Sequence, residues 1–450
     1  MDWLKIAKTY EEEFIEKTRI LLQIPTVLEK FEPNNLEAPF GILIRKALDY
    51  MLTMAEIDGF TTKDVYHYAG HIEMGEGKEV LGILGHLDVV PAGGKWDVPP
   101  FSATVKDGKI IARGAMDDKG PTIAAYIAMR MIKDQKITLN KKVRLILGCD
   151  EESGMRGINT YLEHEQMPDI GFAPDADFPL IYGEKGIFSF DVEGIENDDL
   201  IESMSAGERY NIVPDMCQVV LKRNMELEFK SYLLQHNYQG ETVGNTYTIY
   251  GKNAHAAWPH LGVNAIFLMS NFLKNHTQSA LIQYINKYLL FDHLGAKLGI
   301  NHFDEEMKEL TINTALIQYK NNSFKIGCNI RYPKGIHFQT MTNLIEKSAK
   351  YFNLKYLAHE NSPFHYVSPK DPLIITLYNA YQKYTNDFET PMLTIGGGTY
   401  ARRLKKAVAF GPNFPKNEDL AHQPNEYLII EDMLIAAAIY AESIEKLAGV

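Results

Sequence analysis

Two histidines and a series of carboxylates recur in this chain at the points where apolar runs stop. EVLGILGH (79–86) ends in His86, and Asp88 follows two positions later. ARGAMDDKGP sets Asp117 and Asp118 just ahead of a helical pattern, and KKVRLILGCDEE ends in Asp150, Glu151 and Glu152. DIGFAPDAD closes on Asp175 and Asp177, and AHQPNE carries His422. Taken singly, each is ordinary, since an acid pair before a helix is usually a cap and an acidic triplet usually a solvated turn. Gathered at one sheet edge they would repel one another, and divalent cations remove that penalty. Imidazole with carboxylate suits Zn²⁺, and also Mn²⁺ or Co²⁺. Three ligating carboxylates and one hydroxide balance two divalent ions, and such pairs, about 3.5–4 Å apart, recur in hydrolytic sites. Of two adjacent glutamates, one can bind metal while the other stays free as a general base. His86 is read as a ligand and Asp88 as the partner that fixes its ring.

The elements that must hold these groups follow from the pattern around them. EVLGILGH is almost continuously apolar, as a strand buried on both faces requires. DGKIIARG (107–114) is a short strand, KKVRLILGCDEE (141–152) a second buried strand, and DIGFAPDAD (169–177) a third. Gly120-Pro121 opens the helix PTIAAYIAMRMIKDQ, where proline suits the first turn. Helical periodicity covers residues 1–23 and roughly 40–56, and strand–helix alternation gives an α/β domain with a mostly parallel sheet. From Phe188 the texture changes to alternating strands (FSFDVEG, CQVVLKR, ETVGNTYTIYGK, FKIGCNIRYP), with helices near 226–237, 263–288 and 339–353. After Pro363 the α/β texture returns, with a helix from Pro372 to Thr385, then TPMLTIGGGTYAR, AVAFGP and a last helix from Ile430. The expected architecture is one α/β domain (1–187 plus 363–450) interrupted by an α+β insert (188–362) of two α+β units.

Composition narrows the function further. With 450 residues, 45% hydrophobic and 23% charged, the chain is globular and large enough for at least two cores. A net charge of −12 without a basic tract argues against a nucleic-acid partner. Three widely spaced cysteines (Cys149, Cys217, Cys328) make no disulfide framework. The acid-rich N-terminal helix is no signal peptide, and no apolar run reaches the ~20 residues that span a bilayer. The expected location is the cytoplasm.

GHLDVVPAG, ARGAMDDKGP, DEESG, PDAD and AHQPNE together resemble the co-catalytic zinc peptidase family of carboxypeptidase G, aminoacylase, succinyl-diaminopimelate desuccinylase and the carnosinase-type dipeptidases. DDKGP, PDADFP followed by GEKG, and TIGGGTYAR are similar to its bacterial dipeptidase V branch. The resemblance implies that His86, Asp117 and Asp175 hold one metal and Asp117, Glu152 and His422 the other, with Asp117 bridging. It implies a cis peptide bond after Asp117 and Glu151 as general base. In the insert, GKNAHAAWPHLGVNA corresponds to the family's lid motif, so that His255 polarises the scissile carbonyl. Asn211 and Arg331 fall on positions that bind the substrate carboxylate, and Gly396, Gly397, Gly398 and Thr399 form a bare backbone stretch for close approach. The planar fork of Arg331 suits a carboxylate. Two departures stand out: Asn329 replaces an aspartate before Arg331, and ERYN replaces a smaller-residue version around Asn211. The implied activity is hydrolysis of unblocked dipeptides with two divalent ions, Zn²⁺ or Mn²⁺. A larger insert than in dimeric relatives implies a monomer. A deacylase acting on N-acyl amino acids or succinyl-diaminopimelate shares the same metal centre, and a non-catalytic binding protein on the scaffold is the remaining alternative.

Overall fold

The computed structural model describes residues 1–450 and divides into two compact units. One comprises Met1–Gly183, Val367–Leu393 and Thr399–Val450, the other Glu184–Tyr366 and Thr394–Gly398.

The first unit is built on the sheet that the apolar runs demand. Every residue of the strand Val80–His86 is buried. It pairs parallel with Lys142–Gly148 on one side and with Ile170–Ala173 on the other. Ala407–Ala409 adds parallel to Ile170–Ala173, so four neighbouring strands run the same way. The sheet is mixed at its margins. Ala69–Met74 lies antiparallel to Lys142–Gly148 and forms a hairpin with Thr61–Val65, and Ala409 pairs antiparallel with Ile181. The helix Lys119–Asp134 has Pro121 in its first turn and buries an almost unbroken apolar surface. It packs against the helix Ile430–Ala448, whose Glu445 accepts the indole N–H of Trp3 at 2.8 Å. Lys109–Ile111, expected as a strand, belongs to a separate small sheet with Thr104–Lys106 and Tyr427–Ile429.

The inserted unit is one antiparallel sheet of eight strands. Its order is Gln239–Val243, Thr246–Tyr250, Met216–Leu221, Ile201–Ala206, Thr311–Lys320, Ser323–Tyr332, Gly186–Ile195, Lys355–Ser362. Where two α+β units were expected, the strands share one continuous sheet. Met204, Ser205 and Ala206 pair with Tyr319, Gln318 and Ile317, and a single apolar core including Phe190, Val219, Ile249 and Ile326 underlies the sheet. The strands Ile201–Ala206 and Thr311–Lys320 are absent from the sequence reading; their mix of Ser, Glu, Asn and Gln with apolar residues gives no clean alternation. The helix expected over 263–288 is two, Ala265–Leu273 and Ala280–Tyr288. Ser279 caps the second, and Glu196 accepts the amide of Ala280 at 2.6 Å, so the chain breaks there to satisfy a new helix start.

The unit boundaries also depart from expectation. The insert extends to Glu184 and Tyr366, and Thr394–Gly398 goes with it rather than with the α/β unit. The reason is hydrogen bonding. Lys185 donates its amide to the Ile395 carbonyl at 2.9 Å, the Thr394 hydroxyl bonds the Glu306 carbonyl at 2.9 Å, and Arg331 holds the Gly396 carbonyl at 3.0 Å. All three cysteines are free and buried. No helix is long and apolar enough to cross a membrane.

Candidate metal centre

Parallel strands place their carboxyl ends at one edge, where ligands of α/β sheets collect. His86 closes the central strand and is fully buried. Its Nε2 lies 2.9 Å from an Asp117 carboxylate oxygen and 3.8 Å from one of Asp175. Asp117 turns its other oxygen to His422 Nε2 at 2.9 Å, and the same nitrogen meets Glu152 at 3.1 Å. Two groups able to hold a metal ion result, His86–Asp117–Asp175 and Asp117–Glu152–His422, each with its ligand atoms within 4.8 Å of one another. Asp117 belongs to both. The peptide bond between Asp117 and Asp118 is cis.

The charges at the edge fit cations. Burial, then the charges of Asp175, Glu152 and Asp117 against the partial offset of His86, pushes the Glu151 carboxyl well above its ordinary range. Burial and the charge of Asp117 push Asp175 up to about 6. Burial would raise Asp117 as well, but the hydrogen bonds from His422 and His86 outweigh it and hold that carboxyl far below the usual range. Bonds to Asp117 and Glu152 carry His422 up to about 10. Acids that resist ionisation and imidazoles that must carry protons to balance them are what a donor set shows when its charge is designed for cations. Both imidazoles present Nε2 to the carboxylates, as ligation requires.

Asp88 meets the His86 ring through its backbone. The His86 ring donor lies 3.0 Å from the backbone carbonyl of Asp88 and 3.6 Å from its carboxylate. That carboxylate instead accepts the amides of Glu151 at 3.0 Å and Glu152 at 3.1 Å. Asp88 therefore orients the ring through its main chain and fixes the Glu151–Glu152 turn through its side chain. Asp150 points away to a bidentate pair with Arg156, and Asp177 accepts from Asn413.

Two supporting groups have no role in the sequence reading, although Asp118 is named in it. Asp118 is fully buried, and one of its oxygens accepts the amide of His86 and the hydroxyl of Thr122, both at 3.0 Å. Glu426, also fully buried, pairs with Arg113 at 2.6 Å and accepts the amides of Gly114, Met116 and Asp117 at 2.8–3.1 Å. Glu426 closes the AHQPNE motif that supplied His422, so the signal was present. His422 itself sits at φ 64°, a conformation that a non-glycine residue adopts at a cost and that commonly marks a functional position.

The remaining candidates lie in the inserted unit, except Thr399. Arg331 is buried, its Nε bonded to Asn329 Oδ1 at 2.8 Å and its Nη1 to the Gly396 carbonyl at 3.0 Å. Asn329 thus serves as an acceptor for the guanidinium through its amide oxygen. Burial, then the Arg331 charge, lowers the His255 pKa, keeping the ring neutral. Its Nδ1 accepts the Ala257 amide at 3.2 Å, which leaves the proton on Nε2. The Asn211 carbonyl accepts the amide of Ala256 at 2.9 Å, and Ile212 bridges to His255. Asn211, His255, Arg331 and Gly396 are therefore joined through neighbouring backbone. Gly397 is open, with only the Ile395 side chain within reach of a Cβ placed there, and Gly398 follows it in the same unit. Thr399 falls in the α/β unit, where its buried side chain caps the turn Tyr400–Arg403 by accepting the Ala401 amide at 3.2 Å.

The model of Peptidase family M20/M25/M40 matches residues 82–446, which include every candidate residue above. The chain belongs to that family. It is a metallopeptidase with the α/β fold and inserted α+β unit expected from the sequence. Among its relatives, a Staphylococcus saprophyticus protein named "Putative dipeptidase" is 41% identical over 466 residues, covering 99% of each chain. A Staphylococcus haemolyticus protein of the same description matches at 41% identity with the same coverage. In fold the chain is similar to human carnosine dipeptidase 1 (TM-score 0.59, 15% identity, 98% of each chain). It is also similar to the aminoacylhistidine dipeptidase of Vibrio alginolyticus (TM-score 0.60, 12% identity, 97% and 96% covered).

Proposed function

We propose that this peptidase hydrolyses unblocked dipeptides with two divalent ions per chain, Zn²⁺ or Mn²⁺. The observation that carries the reading is the pair of three-residue ligand groups sharing Asp117, with Glu151 held beside them by Asp88. The family membership and the dipeptidase names of the 41%-identical relatives support the substrate class.

His86, Asp117 and Asp175 would hold one ion, and Asp117, Glu152 and His422 the other. Bound there, the ions supply an acidified water and neutralise charge that develops at the carbonyl oxygen. Glu151 accepts the proton from the attacking water and returns it to the leaving amine. The turn that carries Glu151 cannot drift, because Asp88 ties its amide. In the inserted unit, which serves as a lid, His255 presents Nε2–H to the scissile carbonyl oxygen. Arg331 and Asn211 hold the terminal carboxylate, with Gly397, Gly398 and Thr399 lining the approach. Holding both ends of the C-terminal residue fixes the last peptide bond as the one cleaved, and the dipeptidase names of the relatives support a substrate of two residues. One chain suffices, as a monomer in the cytoplasm, with small dipeptides as the only partners.

The test is a chelator-stripped preparation reloaded with Zn²⁺, Mn²⁺ or Co²⁺ and offered Ala-Ala, Ala-Ala-Ala and N-acetyl-alanine. Turnover confined to Ala-Ala and dependent on added metal is the expected result. Preference for N-acetyl-alanine would make the chain a deacylase, and inertness with every metal would make it a binding protein.

A further inference from the structure

The inserted unit contains a cavity of about 660 Å³ whose wall includes Ala257, Trp258 and Gly396. These residues abut the groups assigned above to the two ends of the substrate's last residue. Ala257 and Trp258 follow His255 closely in the chain, and the Trp258 ring centre lies 5.7 Å from that of His255. Gly396 is held by Arg331 and approaches Ala257 so closely that a Cβ at position 396 would come within 2.6 Å of it. In a dipeptide, the C-terminal side chain branches from the carbon between the scissile bond and the carboxylate. A cavity whose wall includes Trp258, beside the His255 ring, and Gly396, bonded to Arg331, is placed to receive that side chain.

Its lining states the chemistry. Trp258 and Phe291 are 48% and 52% exposed, an unusual position for large flat apolar rings, and Phe291 is held at φ 57°. His293 lines the same space; its Nδ1 is buried without a hydrogen-bond partner, and burial lowers the ring's pKa. The two lysines of the lining, Lys185 and Lys308, are matched in number by Asp292 and Glu309. Lys185 donates to the Glu309 carbonyl at 2.5 Å, and Asp292 accepts the amides of Leu294 and Lys297. A cavity with aromatic walls, one unsatisfied polar nitrogen and no net charge among its lysines and acids suits a ring with a hydrogen-bonding edge.

We propose that this cavity is the specificity pocket for the substrate's C-terminal side chain, and that it selects a large ring with a polar edge (tyrosine, tryptophan or histidine) over a small aliphatic group. The assignment rests on the reading of His255 and Arg331 as holders of that residue. The first arm compares kcat/KM of the Mn²⁺-loaded enzyme for Ala-Tyr, Ala-His, Ala-Ala and the reversed Tyr-Ala. Ala-Tyr and Ala-His should exceed Ala-Ala by about tenfold, largely through KM, and Tyr-Ala should show no such gain. Trp258→Ala and His293→Leu should each bring the Ala-Tyr to Ala-Ala ratio towards one, with thermal melts confirming that the variants fold. The second arm is equilibrium binding of free phenylalanine, histidine and alanine to metal-free protein, read by tryptophan fluorescence. The ring-bearing amino acids should bind more tightly, and Trp258→Phe should remove the signal change. An unchanged ratio in both variants, or equal binding of alanine, overturns the proposal. An enzyme inert toward every dipeptide overturns the dipeptidase reading instead, and the binding arm still decides the pocket.

Discussion

The Glu426 carboxylate lies 3.1 Å from the amide nitrogen of Asp117, a residue 309 positions earlier in the chain. The same side chain pairs with buried Arg113, so one carboxylate fastens the loop carrying the shared ligand to the segment carrying His422. Glu426→Ala strands the Arg113 charge and frees three amides. The expected loss of stability is about 3–5 kcal/mol, the usual cost of breaking a buried pair. Chemical denaturation measures it. Metal affinity should fall by roughly 10–100-fold, since supports of ligands act on that scale.

The proposed function gives the neighbours Glu151 and Glu152 different tasks, and substitution should separate them. Glu151→Gln keeps the turn and both ligand groups, so bound metal by elemental analysis should match the parent while kcat drops by about 10²–10⁴. Glu152→Gln removes a ligand of the group that contains His422, and metal content should fall with activity. Equal metal loss in both variants would refute the division.

Stability should fall with acid in a defined window because of His71. This histidine is buried in the α/β unit with Tyr161 Oη 2.9 Å from its Nδ1, and burial, then the Arg144 charge, depresses its pKa from 6.5 to about 4. Between those values the unfolded chain takes up a proton that the folded chain refuses. The contribution is therefore complete above pH 6.5 and is lost as pH falls toward 4. Its size is on the order of 3 kcal/mol. Urea unfolding of the parent and His71→Gln at pH 7 and pH 5 checks it; the variant should lose less on acidification.

Arg331→Lys retains charge but not the fork that spans Asn329 and the Gly396 carbonyl. KM for Ala-Ala should rise by about 10–100-fold with kcat less affected, because a point charge replaces a planar donor pair. Steady-state kinetics on the metal-loaded enzyme separates the two constants, and an unchanged KM would remove Arg331 from carboxylate recognition.

What could be read from the sequence divides along a physical line. His86 and the Glu151–Glu152 pair announce themselves because a charged residue terminating a buried strand is a local contradiction, visible within ten residues. The parallel core was legible for the same reason, through unbroken apolar runs. That Asp88 serves the His86 ring was legible, but not which atom it uses, since the choice between carbonyl and carboxylate depends on a turn 63 positions away. Glu426 stood in a motif read only for its histidine, because acceptance of backbone amides leaves no pattern in side-chain types. The allegiance of Thr394–Gly398 was invisible as well, being set by bonds to Lys185, Glu306 and Arg331 in distant sequence.

The contact between Glu152 and His422 bridges 270 positions, and the whole inserted unit is encoded between them. During synthesis, the ribosome must finish that unit and return to the α/β layer before the second ligand group can close. On the proposed assignment, a nascent chain emerging with His86, Asp117 and Glu151 already in place cleaves nothing, and competence arrives late and all at once.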